Sequence, residues 1–260
     1  MHVRKANLDE ASTIAWVGTQ AFQKDPSYGH FYPWKDYFPE DFFMHLRRKY
    51  QRLMATPGCC IIALVLDKED EQPNKTRPPT APAPSLDLPH SRGLGAPTNS
   101  EMRVVRHMLD LAEATEPPNR AASQEALDDF WRQELIGHNS TEFTDKIDFY
   151  TLAMLPEYQR KGCAGHLFAW LFEASARDNV PVFGDASAKA IRIYCAVGAV
   201  IIGKIMQEET TYERTLGNRV LPSIKVPRLE TPVIRWDRPE QVSETLAVYL
   251  RSAQQEKAKL

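Results

Sequence analysis

The sequence predicts an α+β domain in which a mixed sheet is flanked by helices. Three observations carry that reading. Two apolar runs, "CCIIALVLD" at 59–67 and "DKIDFYTLAML" at 145–155, have the length and composition of buried strands. The segments around them carry apolar residues at helical spacing. From 145 onward the order is strand, helix, strand, helix, strand, which builds one sheet with strands of both orientations.

The elements follow in order. "HVRKA" at 2–6 is a short strand. "LDEASTIAWVGTQAF" at 8–22 is a helix with Ile14, Val17, Ala21 and Phe22 on one stripe. "DPSYGHFYPW" at 25–34 reads as a turn-rich aromatic loop, with prolines at 26 and 33. Phe42 to Met54 is a second helix, with Phe43, Leu46, Tyr50, Leu53 and Met54 inward and basic residues opposite, ended by "TPG" at 56–58. From 67 to 100 the chain is first charged, then rich in proline, and reads as a flexible surface insertion. Residues 101–113 fit a short helix or a strand. Ser123 is a plausible cap for a helix to Leu135 whose stripe is Ala126, Leu127, Phe130 and Trp131. After Pro156 a helix extends to about Arg177, with Leu167, Phe168, Trp170, Leu171 and Ala174 inward. "VPVFGDAS" at 180–187 is a third strand, and "AKAIRIYCAVG" at 188–198 a short helix ending at Gly198. "AVIIGKIMQEETTYERT" at 199–215 and "TPVIRW" at 231–236 are strands, and 238–260 is a polar helical tail. Residues 1–260 form a single domain.

Composition narrows the function. Of the 260 residues, 43% are hydrophobic and 25% charged, and the net charge of -2 gives no electrostatic reason to expect nucleic acid or an anionic membrane as partner. The longest apolar run has eight residues, far short of a membrane span, and the N-terminal stretch lacks the apolar centre of a signal peptide. The four cysteines, Cys59, Cys60, Cys163 and Cys195, show no CxxC and no zinc-ligand spacing, so no metal is expected and a reducing, cytoplasmic setting is.

"PEYQRKGCAGHL" at 156–167 carries the chemistry. A strand ends at a proline, then small residues lead into a helix. The first turn of a helix has unpaired N–H groups and a positive dipole end, which favour an anion. Gly162, Ala164 and Gly165 let main chain approach a phosphate closely, and Arg160 and Lys161 add charge. Neither GxxxxGK[ST] nor GxGxxG after a strand is present, so a P-loop or dinucleotide site is not indicated. An ordinary strand-to-helix turn is the structural alternative.

The stretch contains Gln159-x-x-Gly162-x-Ala164 within Met154-Leu155-Pro156-Glu157-Tyr158-Gln159 and ends at Leu167. Further on stand Asp185-Ala186-Ser187, Ile193-Tyr194 and Gly198-Ala199. Together these resemble the acyl-CoA-binding signature and the following helix motif of the GCN5-related N-acetyltransferase (GNAT) superfamily. The resemblance is strong over 145–204, extends plausibly to 1–66 and is absent over 67–140. Two positions depart from the pattern: Ala190 stands for a frequent glycine, and Ala199 for a frequent Phe whose space a neighbour such as Tyr212 would fill.

The resemblance implies a GNAT acyl-CoA N-acyltransferase fold and direct transfer of an acetyl group from acetyl-CoA, the cosubstrate, to an amine. The main chain of Gln159, Arg160, Lys161, Gly162, Cys163, Ala164 and Gly165 would hold the pyrophosphate. The pantetheine arm would run along Leu152, Ala153, Met154 and Leu155 where the sheet splays, with the Leu152 amide polarising the thioester carbonyl. An alkyl amine has a pKa of ~10.4, so a base must take its proton; Asp148, eleven residues before Gln159, or a water chain would serve. Tyr194 would protonate the leaving thiolate, and Ser187 would face the CoA arm. As structural alternatives, Asp148 is a solvated strand-edge residue and Tyr194 a core tyrosine. Phe22, Tyr28, Phe31, Tyr32 and Trp34 would suit an apolar or aromatic small-molecule acceptor, or be a packed loop. The rival function is a non-catalytic acyl-CoA-binding module; O-acylation or thioester hydrolysis is a third.

Overall fold

The computed structural model describes residues 1–66, 99–115, 118–139 and 145–237. The expected insertion at 67–100, apart from its last two residues, and the tail at 238–260 lie outside them. In chain order the elements are β1 (His2–Lys5), α1 (Ala11–Phe22), α2 (Pro26–Phe31), α3 (Pro39–Ala55), β2 (Ile62–Val65), α4 (Asn99–Thr115), α5 (Gln124–Asn139), β3 (Ile147–Phe149), α6 (Cys163–Asp178), β4 (Val182–Asp185) and α7 (Ile191–Ala196). Then come β5 (Val200–Gln207), β6 (Thr210–Tyr212), β7 (Thr215–Leu216), β8 (Arg219–Val220), β9 (Ile224–Val226) and β10 (Leu229–Trp236).

The architecture is mixed α and β, with a sheet of mixed orientation flanked by helices. Its strand order is β3–β4–β10–β5. β3 and β4 are parallel, and the other two pairings are antiparallel. β5 and β10 are the base of one long antiparallel excursion that continues through β6–β9 to the β7–β8 turn, where Gly217 takes φ +58°. β1 and β2 pair separately, antiparallel.

Side chains alternate across the sheet. Val182, Ala186, Ile234 and Trp236 point to one side, into a core with Phe168 and Phe172 of α6 and Tyr194 of α7. Phe172 and Trp236 rings lie 5.4 Å apart, and Trp236 Nε1 donates to the Val197 carbonyl at 3.2 Å. The buried Val182, Ile234, Phe168 and Phe172 side chains each contribute about 1.5–3 kcal/mol of transfer free energy. Phe183, Asp185, Val233 and Arg235 are out of phase and face the other side; α2 packs against β10 and α5 against β5. Ala199 belongs to the first core, where Trp236 also sits. Tyr212 does not fill the space there: it stands against Trp34 and His30, with ring separations of 5.9 and 6.5 Å.

The N-terminal half forms a second core. The expected α1 stripe is rotated: Ala11, Ala15, Gly18 and Thr19 are the buried residues. α1 lies so close to α3 that a Cβ on Gly18 would come 2.8 Å from Tyr50 Oη, so small residues form the contact. The segment read as a loop contains α2. Asp25 accepts from the Ser27 and Tyr28 amides at 2.9 and 3.4 Å, and Pro26 opens the helix, a start signal that Asp-Pro spells out. Residues 101–113 lie in a helix, α4. Ser123 caps α5 by accepting from the Ala126 amide at 3.3 Å. The expected long strand at 59–67 narrows to Ile62–Val65, half-buried and paired with β1.

β3 is also shorter than 145–155. It pairs with β4 only at Ile147–Val182, Asp148–Phe183 and Phe149–Gly184. The Ala186 amide then donates to the Pro232 carbonyl at 2.9 Å, which commits β4 to β10, and 150–155 runs on with no strand neighbour among the described residues. A Cβ on Gly184 would meet the Phe149 carbonyl oxygen at 2.8 Å. Gly184→Val is therefore expected to lower stability by about 1–3 kcal/mol, read as a lower thermal midpoint. An unchanged midpoint would refute the close-approach argument.

His45 of α3 sets a pH dependence. It lies edge-on to Tyr32 at 5.3 Å, and burial, then the Lys49 and Arg48 charges, push it down from 6.5 to about 4. The unfolded chain takes up this proton below pH 6.5, and the folded chain refuses it until about pH 4. The stability is fully present above pH 6.5 and is lost as pH falls through that window, by at most ~3 kcal/mol. Urea midpoints at pH 7.5 and 4.5 should fall further for the native protein than for His45→Gln; equal falls would exclude His45 as the cause.

Candidate functional site

The site starts where β3 and β4 part. Residues 150–155 continue beyond the last strand pair, half-buried apart from the exposed Tyr150, and Leu152 packs against the core that holds Tyr194. A single turn at Pro156–Tyr158 redirects the chain, with the Tyr158 amide bonding back to the Leu155 carbonyl at 2.9 Å. Gln159 donates its side-chain amide to the Met154 carbonyl at 3.1 Å and so ties the turn to the free strand.

The chain then enters α6 through two left-handed residues, Arg160 at φ +58° and Gly162 at φ +81°. Arg160, as a residue with a Cβ, carries strain there, whereas Gly162 does not. The Gly165 amide closes on the Gly162 carbonyl at 3.0 Å. Among the described residues no backbone acceptor meets the amides of Arg160, Gly162, Cys163 or Ala164. They stand at the positive end of a 16-residue helix, beside the exposed Gln159 and Arg160. Lys161 lies over the Tyr158 ring at 5.5 Å. Cys163 is buried under the turn as a small side chain, and His166 is exposed on the first helical turn. Such an arrangement can hold an anion.

Tyr194 projects from α7 into the core beneath this fork and is only 5% exposed. Its ring lies 5.3 Å from Phe168, 5.6 Å from Trp236 and 6.1 Å from Phe149. Burial raises its phenol pKa. Ser187 caps the turn into α7: its hydroxyl accepts from the Ala190 amide at 3.3 Å.

The opposite sheet face has a different chemistry. Asp148 points there, since Ile147 and Phe149 face the Tyr194 core. Its carboxylate is 3.4 Å from the Lys146 ammonium, and Lys146 also lies over the Phe183 ring at 5.0 Å. Tyr28, one of the aromatic residues expected around an acceptor, meets a residue that sequence reasoning did not single out, Thr151, next to Leu152. The Tyr28 side chain of α2 comes beside that of Thr151. Tyr28 stacks on Phe22 at 4.2 Å, with planes 6° apart. Of the five aromatic residues expected around an acceptor, Tyr32 and Trp34 are each 3% exposed and belong to the core, and Phe22, Tyr28 and Phe31 are partly exposed. No pattern in the chain signals the Tyr28–Thr151 contact, because it joins residues more than a hundred positions apart.

Among the described residues no group of three or more His, Cys, Asp or Glu is placed to hold a metal, and no helix is long and apolar enough to cross a membrane. No model of a known protein family matches the chain, and no curated protein matches it.

The turn into α6 yields a direct test. Gly162→Ala should cost about 1–2 kcal/mol because the new Cβ must adopt the left-handed region. Arg160→Gly should leave stability within about 1 kcal/mol of native, since strain relief offsets chain entropy. Chemical denaturation of both variants checks this, and a Gly162→Ala variant as stable as the native protein would contradict the geometry.

Proposed function

We propose that the protein is an acyl-CoA-dependent N-acyltransferase of the GNAT type, moving an acetyl group directly to the amine of a small molecule. One observation carries this: a sheet strand leaves its neighbour, runs on with no strand neighbour among the described residues, and ends in an exposed left-handed turn whose amides meet a helix N-terminus. An acyl-CoA has a matching layout, with an amide-bearing arm that can pair with a free strand and a pyrophosphate that suits the turn. The Gln159–Leu167 motif resembles the family's signature at that place in the chain.

In this reading the amides of Arg160 to Gly165 hold the pyrophosphate, and Arg160 and Lys161 add charge from its exposed side. The main chain of Leu152 to Leu155 receives the pantetheine arm. The Leu152 N–H polarises the thioester carbonyl, an oxyanion-hole role worth about 3 kcal/mol where single donors have been removed. Tyr194 gives its proton to the departing thiolate. Its burial keeps the phenol protonated at neutral pH, which suits an acid and disqualifies it as a base. Asp148 takes the amine proton only when its ion pair with Lys146 opens.

Those last two facts also favour a second reading. A core-packed Tyr194 and an ion-paired Asp148 are what a non-catalytic acyl-CoA-binding module would keep. Tyr194→Phe separates the two. If the protein is an enzyme, calorimetry should find CoA affinity within about threefold of native, and acetyl transfer to an amine panel should drop about tenfold to a hundredfold. Turnover untouched by the substitution removes Tyr194 from the mechanism. CoA binding with no amine ever consumed establishes the module. Failure to bind either CoA or acetyl-CoA sinks both.

A further inference from the structure

We propose that Cys59 and Cys60 form a two-thiol site for a soft, thiophilic centre that brings a substituent of its own, an organic arsenical in the trivalent state. The site is separate from the turn into α6 and does not rest on the acyltransferase reading. The two residues are adjacent in the chain, and both thiols are free. Neither lies in a strand: they fall between the turn that ends α3 and the start of β2. Both flanks are held. The Cys59 amide bonds back to the Thr56 carbonyl at 3.1 Å, and the Thr56 hydroxyl and amide are tied to the Arg52 and Leu53 carbonyls of α3. On the other side the Ile61 carbonyl accepts from the Ala6 amide at 2.8 Å. Gly58 takes φ +80° and has nothing within 4 Å of the place a Cβ would occupy, so the pair follows an open turn. Cys60 is exposed and Cys59 partly so.

The surroundings select the chemistry. Burial, then the neighbouring Cys60, raise the Cys59 thiol, which therefore stays protonated at neutral pH. A protonated thiol is a poor nucleophile for alkylation or disulfide exchange. It still condenses with an arsenic hydroxyl, because that step releases water rather than a proton. A direct bond would bring the two sulfurs to about 2 Å from each other. An atom bonded to both sets them farther apart, which suits side chains that leave neighbouring Cα atoms about 3.8 Å apart. A metal ion asks for more. Zinc takes four ligands, and among the described residues no group of three or more His, Cys, Asp or Glu is placed to hold a metal. An aryl arsenical needs only two thiols from the protein, since its third bond is to carbon.

The step balances with no change of oxidation state. Phenylarsonous acid carries two As–OH groups. Each As–O bond breaks as an As–S bond forms, and each thiol proton leaves with the hydroxyl as water. Arsenic stays trivalent. Once one thiol has condensed, the other is presented at an effective concentration of about millimolar or above, so the bridged adduct resists competing single thiols.

The test treats the full chain with phenylarsonous acid, washes it with about 0.1 mM glutathione, below that effective concentration, and reads the intact mass. The native protein should keep a single equivalent through this wash and lose it to a dithiol, 2,3-dimercaptopropanol. Cys60→Ser and Cys59→Ala should each retain at least about tenfold less label. Cys195→Ser, which removes a lone exposed thiol, should retain it in full. If circular dichroism shows that Cys59→Ala does not fold, Cys60→Ser decides, because its side chain is exposed. Label kept by Cys60→Ser overturns the pairing. So does label lost by Cys195→Ser, and so does native protein that keeps none through the glutathione wash.

Discussion

The arrangement depends on one close approach, the Phe149 carbonyl over Gly184. There β3 and β4 touch most closely and then separate. The separation has a cause outside the pair. Beyond Gly184, β4 is held by β10, whose Pro232 carbonyl accepts the Ala186 amide, and β10 in turn is locked to β5 along the length of the sheet. β3 has no such second partner among the described residues, so it diverges. Main-chain donors and acceptors of a half-buried strand must be satisfied by something, whether water or a ligand. A fork of this kind leaves a row of polar groups beside an apolar core, and that combination is what an extended, amide-bearing molecule needs.

The fork also divides the chemistry by face. On one side are the packed rings of Phe168, Phe172 and Trp236 with Tyr194 among them, a place that disfavours charge. On the other are carboxylates, ammonium and guanidinium groups around Phe183. Strand alternation alone produces this division, since successive residues of β3 and β4 point to opposite sides. The Tyr194 phenol and the charged groups around Phe183 are therefore kept on opposite faces of the sheet.

The sequence made the second half of the chain legible because its signals are local. The turn after Pro156, the small residues where α6 begins and the Gly198 turn after α7 each occupy a few adjacent positions, and each lies where the pattern put it. The α1 stripe was not legible, because Ile14 and Val17 carry the apolar signal whereas Gly18 and Ala15 make the contact with α3. α2 hid behind its aromatic content although Asp25-Pro26 states a helix start. The lengths of β2 and β3 depend on partners that periodicity does not name. The same holds for the site. Alternation tells which residues of one strand share a face, but only the folded chain brings Tyr28 beside Thr151.

The region outside the resemblance is a brace rather than an appendage where it is described. Gln133 of α5 donates to the Met206 carbonyl at 2.8 Å and accepts from its amide at 2.9 Å, so one side chain takes the place of a neighbouring strand on the edge of β5. Arg214, stacked over Trp34 at 4.1 Å, donates to the carbonyls of Arg120 and Ala122. Arg120 in turn grips Asp41 of α3 through two side-chain bonds and its own amide. His30 of α2 completes the circuit by its 2.8 Å bond to the Pro227 carbonyl just before β10. The helices of the first half are thereby tied to the strands of the second. A chain lacking these links would still have the fork, but α2 and α5 would lose their ties to the β5–β10 ribbon.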